Sequence, residues 1–213
     1  MPQQQRAIDT RRNVLVGAAV AIDRHGYGSA TIAEIVRESR ITKGALYFHF
    51  PSKEAVAEAI IAEQGEWLSA HHSVDDPPLQ AVVDLSYAFA DAVVSDPLMR
   101  ASIRMTIDRA GPAASITAGY SAWIAAVASL LDRARAAGTL KEGVVPGDCA
   151  YVITSTMTGL QLTSEALAQR RDLAERVESF WWMVLPAIVR AELLGRVDIR
   201  PPGRRSGTVG PAI

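Results

Sequence analysis

Cysteine is almost missing from this chain: Cys149 is the one thiol in 213 residues. An internal disulfide framework is therefore excluded, and no histidine or cysteine stands near it at zinc-ligand spacing. Such a residue reads as a small buried hydrophobe. Long apolar runs are missing too. The longest, Ala122 to Leu131, is about half the length a membrane span requires, and no charged-then-apolar signal pattern opens the chain. The expectation is a cytoplasmic protein without a membrane partner. No run of alternating Val, Ile and Thr marks a sheet. There is no Gly-rich phosphate loop and no metal-spaced cluster. Asp75 and Asp76 sit beside two prolines in a loop, and the adjacent His71 and His72 point to different sides of a helix. No cofactor and no catalytic constellation follow, so an all-α enzyme is the weaker of the alternatives.

What is present is helix. Hydrophobic residues make up 49% of the chain and recur at helical spacing almost throughout, which makes the protein all-α with a substantial core. The first helix is expected from about Gln5 to His25, with Val14, Leu15, Ala18, Ala19 and Ile22 on one face and Gly26 as a left-handed cap. Thr31-Ile32-Ala33-Glu34 is a capping box that opens a short helix to about Ser39. Thr42 caps another from Lys43 to about Phe48, and Pro51-Ser52 stops it and caps a fourth from Lys53. Two short helices across a tight turn outline a helix-turn-helix. Longer helices follow at about 78–95, 97–109, 115–137, 147–168 and 171–194, separated by Asp75-Asp76-Pro77-Pro78, Gly111-Pro112 and the run from Gly143 to Gly147. Pro186 should kink or divide the last. The Pro-, Gly- and Arg-rich tail after Arg200 reads as disordered.

The net charge of -1 hides an asymmetry, because residues 1–53 hold eight Lys and Arg against four Asp and Glu. The basic quarter contains Ile41-Thr-Lys-Gly-Ala-Leu-Tyr-Phe-His-Phe50, where three aromatics and a histidine crowd four positions. In a helix-turn-helix the second helix enters the major groove. Lys43 offers a cation, Gly44 and Ala45 keep the approach free of bulk, and Tyr47 lies one turn on along the same face. Leu46 and Phe50 share another face and would pack on Ile32, Ile35 and Val36, while Tyr47 and His49 can bond phosphates. The alternative is a hydrophobic corner with incidental polar residues.

Residues 6–68, containing TIAEIVRES-RITKGALYFHF-PSKEAVAEAI, resemble the DNA-binding domain of TetR-family transcriptional regulators. KGALYFHF, then SKE, then Gln64 is most similar to the γ-butyrolactone receptor subgroup, which represses genes of antibiotic production and development. The resemblance implies a TetR-like fold of nine or more helices. An N-terminal three-helix reader (residues 1–52) would be followed by a ligand-binding and dimerisation domain (53–200) and a tail (201–213). It implies a homodimer built mainly on the last two long helices, an inverted-repeat operator, and release by a butyrolactone, butenolide or furan signal. Carried over by position, Thr42, Lys43, Gly44, Tyr47 and His49 face DNA, with Thr31 and Lys53 near phosphates. A helical small-molecule-binding or interaction protein without DNA binding is the competing class.

Ligand candidates are Gln64, Tyr87, Trp123, Tyr151 and Thr158, with Leu85, Phe89, Val127, Met157 and Leu162 as wall. Gln64 is the polar member of the stripe Val56, Ile60, Gln64, Trp67, so it either pairs within the protein or meets a ligand. Trp123 shares an apolar face with Val127 and Leu130, and by default such a tryptophan is core. Thr154, Ser155, Thr156 and Thr158 supply four hydroxyls that helical back-bonding would also explain. Arg100 and Arg104 could reach inward to a ligand carboxylate. Val177, Phe180, Trp181, Val184 and Ile188 form an apolar stripe expected to meet a two-fold partner.

Overall fold

The structure is a computed structural model that describes residues 2–72, 75–109 and 113–205, apart from the side chains of 2, 3 and 114. Among these residues there are nine α-helices: α1 (Pro2–His25), α2 (Ile32–Ser39), α3 (Lys43–His49), α4 (Lys53–His71), α5 (Pro78–Ser95), α6 (Pro97–Ile107), α7 (Ala113–Ala136), α8 (Pro146–Ala168) and α9 (Leu173–Ile188). No strand occurs among them, and the fold is all-α as the periodicity requires. The chain packs as two compact units, Met1–Trp67 with Ser95–Tyr120, and Leu68–Val94 with the described residues from Ser121 onward. By packing, therefore, α4 as far as Trp67 and the whole of α6 belong with the helix-turn-helix.

In the first unit, α1 buries Val14, Leu15, Ala18, Ala19 and Ile22 in one core with Ile35, Leu46, Phe50, Val56 and Ile60. The close approach of α1 to α2 depends on Gly17, because a Cβ there would fall 2.2 Å from Ser39 Oγ and 2.5 Å from its backbone nitrogen. Gly26 turns the chain out of α1 at φ 78°. The capping box forms as read: Glu34 N–H donates to Thr31 Oγ1 (3.2 Å), and Thr31 N–H donates to Glu34 Oε2 (2.8 Å). Arg40, left-handed at φ 54°, ends α2. Two residues later Thr42 caps α3 by accepting from Ala45 N–H at 3.2 Å. Asp96 and Pro97 start α6 in the same manner, with Asp96 Oδ1 accepting from Leu98 N–H. α6 packs on α1.

In the second unit, α5 buries Val82, Val83, Leu85, Phe89 and Val93, and Val127, Leu130, Ile153, Met157, Val177, Phe180 and Trp181 are buried with it. The last helix ends at Ile188 rather than the expected Leu194, two residues past Pro186. Val189 instead forms an isolated antiparallel bridge with Leu140, with Lys141 N–H on Ile188 O (2.9 Å) and Arg190 N–H on Thr139 O (3.1 Å). A 3₁₀ segment, Ala191–Arg196, follows. Residues 198–205, read in part as disordered tail, lie against one stripe of α5. Gln80 brackets the Asp198 backbone with bonds of 2.9 and 3.1 Å, and Arg205 pairs with Asp84 at 2.6 Å. Residues 206–213 lie outside the described residues, as do Gly111 and Pro112. Cys149 is half-buried rather than buried. Burial and the Asp148 carboxylate raise its thiol pKa, so it stays protonated.

Candidate functional site

On α3 the local chemistry separates two faces. Leu46 and Phe50 are buried, with Ile32 and Val36 packed against them, and the Arg11 guanidinium covers the Phe50 ring at 5.2 Å. The opposite side holds Thr42, Lys43, Gly44, Tyr47 and Phe48 out to solvent, with His49 half-buried at its edge. The Thr42 oxygen is used by the cap, which leaves its hydroxyl hydrogen for an outside acceptor. Lys43 Nζ lies 5.9 Å from the Tyr47 ring centroid, so cation and phenol present together. A Cβ on Gly44 would meet nothing closer than Thr42 Oγ1 at 4.0 Å. The fold itself therefore admits alanine there, and the missing side chain leaves room on the outside.

Two residues expected near phosphate have other duties. Lys53 Nζ donates to the carbonyls of Tyr27 (2.6 Å), Ala30 (2.8 Å) and Gly28 (3.3 Å) and lies over the Tyr27 ring at 4.5 Å. Its three donors are engaged in closing the loop after α1. Thr31 is likewise occupied, because its hydroxyl donates to Glu34 Oε2 at 3.0 Å while serving the capping box. Both side chains are engaged within the first unit, Lys53 in closing the loop after α1 and Thr31 in capping α2.

The ligand candidates divide. Gln64 belongs to the first unit, where its Oε1 accepts from the buried Ser102 hydroxyl at 2.8 Å. Arg100 and Arg104, which could have reached a ligand carboxylate, are held by Asp23 of α1: Arg100 Nε lies 2.8 Å from its carboxylate, and Arg104 donates to its carbonyl. The other four candidates belong to the second unit. Trp123 stacks edge-on with Phe89, centroids 5.2 Å apart. Thr158 donates back to Thr154 O at 3.0 Å. Tyr87 is buried, donates to Ile199 O and carries Arg205 at 5.9 Å from its ring, so its phenol is spent on the C-terminal segment. Burial and the Glu178 carboxylate raise its pKa, which keeps the donor protonated. Tyr151 is exposed on α8, and so is Leu162, which removes both from a buried wall.

Among the enclosed polar atoms without a partner, two lie on α8 and α9 and were not among the ligand candidates. The indole N–H of the buried Trp181 and the hydroxyl of Thr154 are enclosed without a hydrogen bond. An orphaned buried donor is costly, so each is a group that a bound ligand could satisfy. Thr154 lay within the hydroxyl cluster already noted. Trp181 could not be picked out, because nothing in a sequence distinguishes a satisfied buried indole from an orphaned one.

The expected dimer stripe is corrected in the same region. Val177, Phe180, Trp181 and Ile188 are buried within one chain and Val184 is half-buried, whereas Trp182 and Met183 on the other side of α9 are 55% and 70% exposed. α8, which contacts α9, exposes Val152, Ser155, Gly159, Leu162 and Ala166, a stripe at spacings of three and four. No helix among the described residues is long and apolar enough to cross a membrane, and no group of three metal-ligating side chains occurs among them.

The first unit thus presents an exposed α3 face with Lys43 and Tyr47, and the second encloses unpartnered donors at Trp181 and Thr154. Residues 14–60 match the model of bacterial regulatory proteins of the tetR family. The chain is 37% identical over 204 residues to the A-factor receptor protein of Streptomyces griseus, covering 96% of this chain and 72% of that protein. It therefore belongs to the TetR family. The TetR regulator TylP of Streptomyces fradiae superposes with a TM-score of 0.78 at 33% identity, over 89% of this chain and 92% of its own. CprB of Streptomyces coelicolor, solved with its biological operator sequence, superposes at 0.76 with 26% identity, over 90% and 94%.

Proposed function

We propose that the chain is a ligand-responsive transcriptional repressor. It binds an inverted-repeat operator as a homodimer in the cytoplasm and releases it when a small signal of γ-butyrolactone, butenolide or furan type binds, so controlling secondary metabolism. It acts by binding and not by catalysis. The observation that carries this reading is the outward face of α3, where Thr42, Lys43, Gly44, Tyr47 and His49 stand over the buried Leu46 and Phe50. Likeness to the A-factor receptor supports the class of signal.

Residues 1–52 serve as the reader, with Thr31 and Lys53 as its braces, and residues 53–200 serve ligand binding and dimerisation. In the second unit Trp123 supplies an aromatic wall, Thr158 and Thr154 supply hydroxyls, and the Trp181 indole supplies a donor. In the first unit the response runs through Gln64 and Ser102 into α6, whose Arg100 and Arg104 grip Asp23 on α1. A two-state shift of α6 would then move the reader. The exposed α8 and α9 face joins the two copies.

The test is a gel-shift with the upstream region, with and without extract of the producing culture. Retardation that the extract reverses supports the reading, and no retardation of any upstream fragment at low salt rejects it in favour of a helical binding protein. Trp123→Ala should then demand more signal for release, with Trp123→Phe in between. Gln64→Leu deprives the Ser102 hydroxyl of its acceptor and should cost about 1–3 kcal/mol of stability. If it also releases DNA at the wild-type signal concentration, the relay through Ser102 is wrong.

A further inference from the structure

Phe48 belongs to neither the buried side of α3 nor its hydrogen-bonding groups. It is 81% exposed, while Leu46 and Phe50 on either side of it are buried. At about 100° per residue it lies opposite both, on the outermost line of α3, with Gly44 one turn before it. Its ring meets His49 edge-on, centroids 5.1 Å apart and planes at 86°. A phenyl ring has neither donor nor acceptor, so it cannot bond a phosphate or a base heteroatom. Thr42, Lys43, Tyr47 and His49 around it can. In the major groove the apolar group presented by a base edge is the C5 methyl of thymine. One turn before the ring the surface is open, since a Cβ on Gly44 would meet nothing closer than Thr42 Oγ1 at 4.0 Å.

We propose that Phe48 selects a thymine in each operator half-site by packing on its C5 methyl. This specificity contact is made by shape and dispersion alone, and it rests on the operator-binding reading above. The neighbouring polar residues fix α3 on the backbone, and Phe48 supplies sequence preference that those phosphate contacts do not carry. Loss of the ring changes which sequence is preferred and leaves the salt dependence of binding as it was, because no phosphate charge is neutralised by it.

The experiment starts from duplex DNA enriched by the wild-type protein from a random pool. Each thymine of the enriched site is replaced in turn by deoxyuridine, which removes the methyl and keeps the base pair, and affinities are compared at one salt concentration. Wild type should lose about fourfold per methyl, the equivalent of one buried CH₂, at one symmetry-related position in each half-site. Phe48→Ala should be indifferent to uracil at that position, and Phe48→Leu should keep part of the effect. Denaturant unfolding of Phe48→Ala should match wild type, since the ring is exposed. A wild-type protein that binds the enriched site but senses no methyl, or a Phe48→Ala protein that senses the same one, overturns the proposal. A destabilised Phe48→Ala overturns it as well, because the ring would then be holding the module together. Failure to enrich or bind any duplex overturns the repressor reading itself, and the proposal with it.

Discussion

α3 and the outer face of α8 and α9 both hold large apolar side chains in solvent, Tyr47 and Phe48 on the one, Tyr151, Trp182 and Met183 on the other. Their surroundings differ. Around Tyr47 stand a lysine, a histidine, a capping hydroxyl and a glycine with open space beside it. Along α8 the exposed stripe Val152, Ser155, Gly159, Leu162, Ala166 carries no charge. An aromatic face set with cations suits a polyanion, whereas an uncharged face of small and apolar residues suits close packing with its own copy. Two exposed aromatic faces thus differ in the kind of partner they suit, and the difference lies in the neighbouring side chains.

The most severe way to break this comparison is to charge the second face. Trp182→Asp with Met183→Lys should leave a folded monomer by light scattering at micromolar concentration. Operator affinity should fall by about 10²- to 10⁴-fold, the avidity that a linked second reader provides. Phe180→Ala, on the buried side of the same helix, should instead cost about 3–5 kcal/mol in denaturant unfolding. If both variants behave alike, the division of α9 into core side and partner side fails.

A glycine pair sharpens the difference between fold and reading. Gly17→Ala forces a Cβ into Ser39 and should destabilise by about 1–3 kcal/mol. Gly44→Ala meets no obstacle, so unfolding should be unchanged within about 0.5 kcal/mol or shifted upward, while operator affinity falls. Equal stability losses would show that Gly44 serves the fold.

A lysine pair does the same with a smaller signal. Lys43→Ala should flatten the log-log salt dependence of binding by about one unit without altering stability. Lys53→Ala strands the carbonyls of Tyr27, Gly28 and Ala30 and should cost about 1–3 kcal/mol. A salt slope changed by Lys53→Ala in a fully stable protein would return that residue to the phosphates.

The smallest effect is one of pH. Bonds from the Thr31 backbone and hydroxyl lower the folded-state pKa of Glu34 below its ordinary value of 4.5. Its contribution is therefore present above that value and is lost as pH falls through the lower folded one. The stability gap between wild type and Glu34→Gln should narrow as the solution is acidified below about pH 4.5, near the unfolded carboxyl pKa. A gap constant from neutral to acid pH would mean that the carboxylate adds nothing to the box.

The reader was legible in the chain because its signals are local. A cap and its partner stand three residues apart, a left-handed glycine ends a helix, and a proline stops one, so Thr31, Glu34, Gly26, Thr42 and Pro51 mark boundaries without reference to distant segments. The second unit was legible only as helices. Spacing marked the Val177, Phe180, Trp181 side of α9 as apolar, but whether that side meets the chain's own core or a second copy depends on what the rest of the unit covers.

The sequence by itself determined that the protein is all-α, where its first helices begin and end, and that α3 presents a basic aromatic face. These follow from backbone hydrogen bonding and side-chain periodicity, which act within a few residues. Only the tertiary structure decided that Lys53 belongs to three carbonyls, Tyr87 to the C-terminal segment, Gln64 to Ser102, and Arg100 and Arg104 to Asp23. Those polar groups had several acceptors or donors open to them along the chain. Which one each takes is set by the elements that packing brings within about 3 Å, a distance no spacing in sequence encodes.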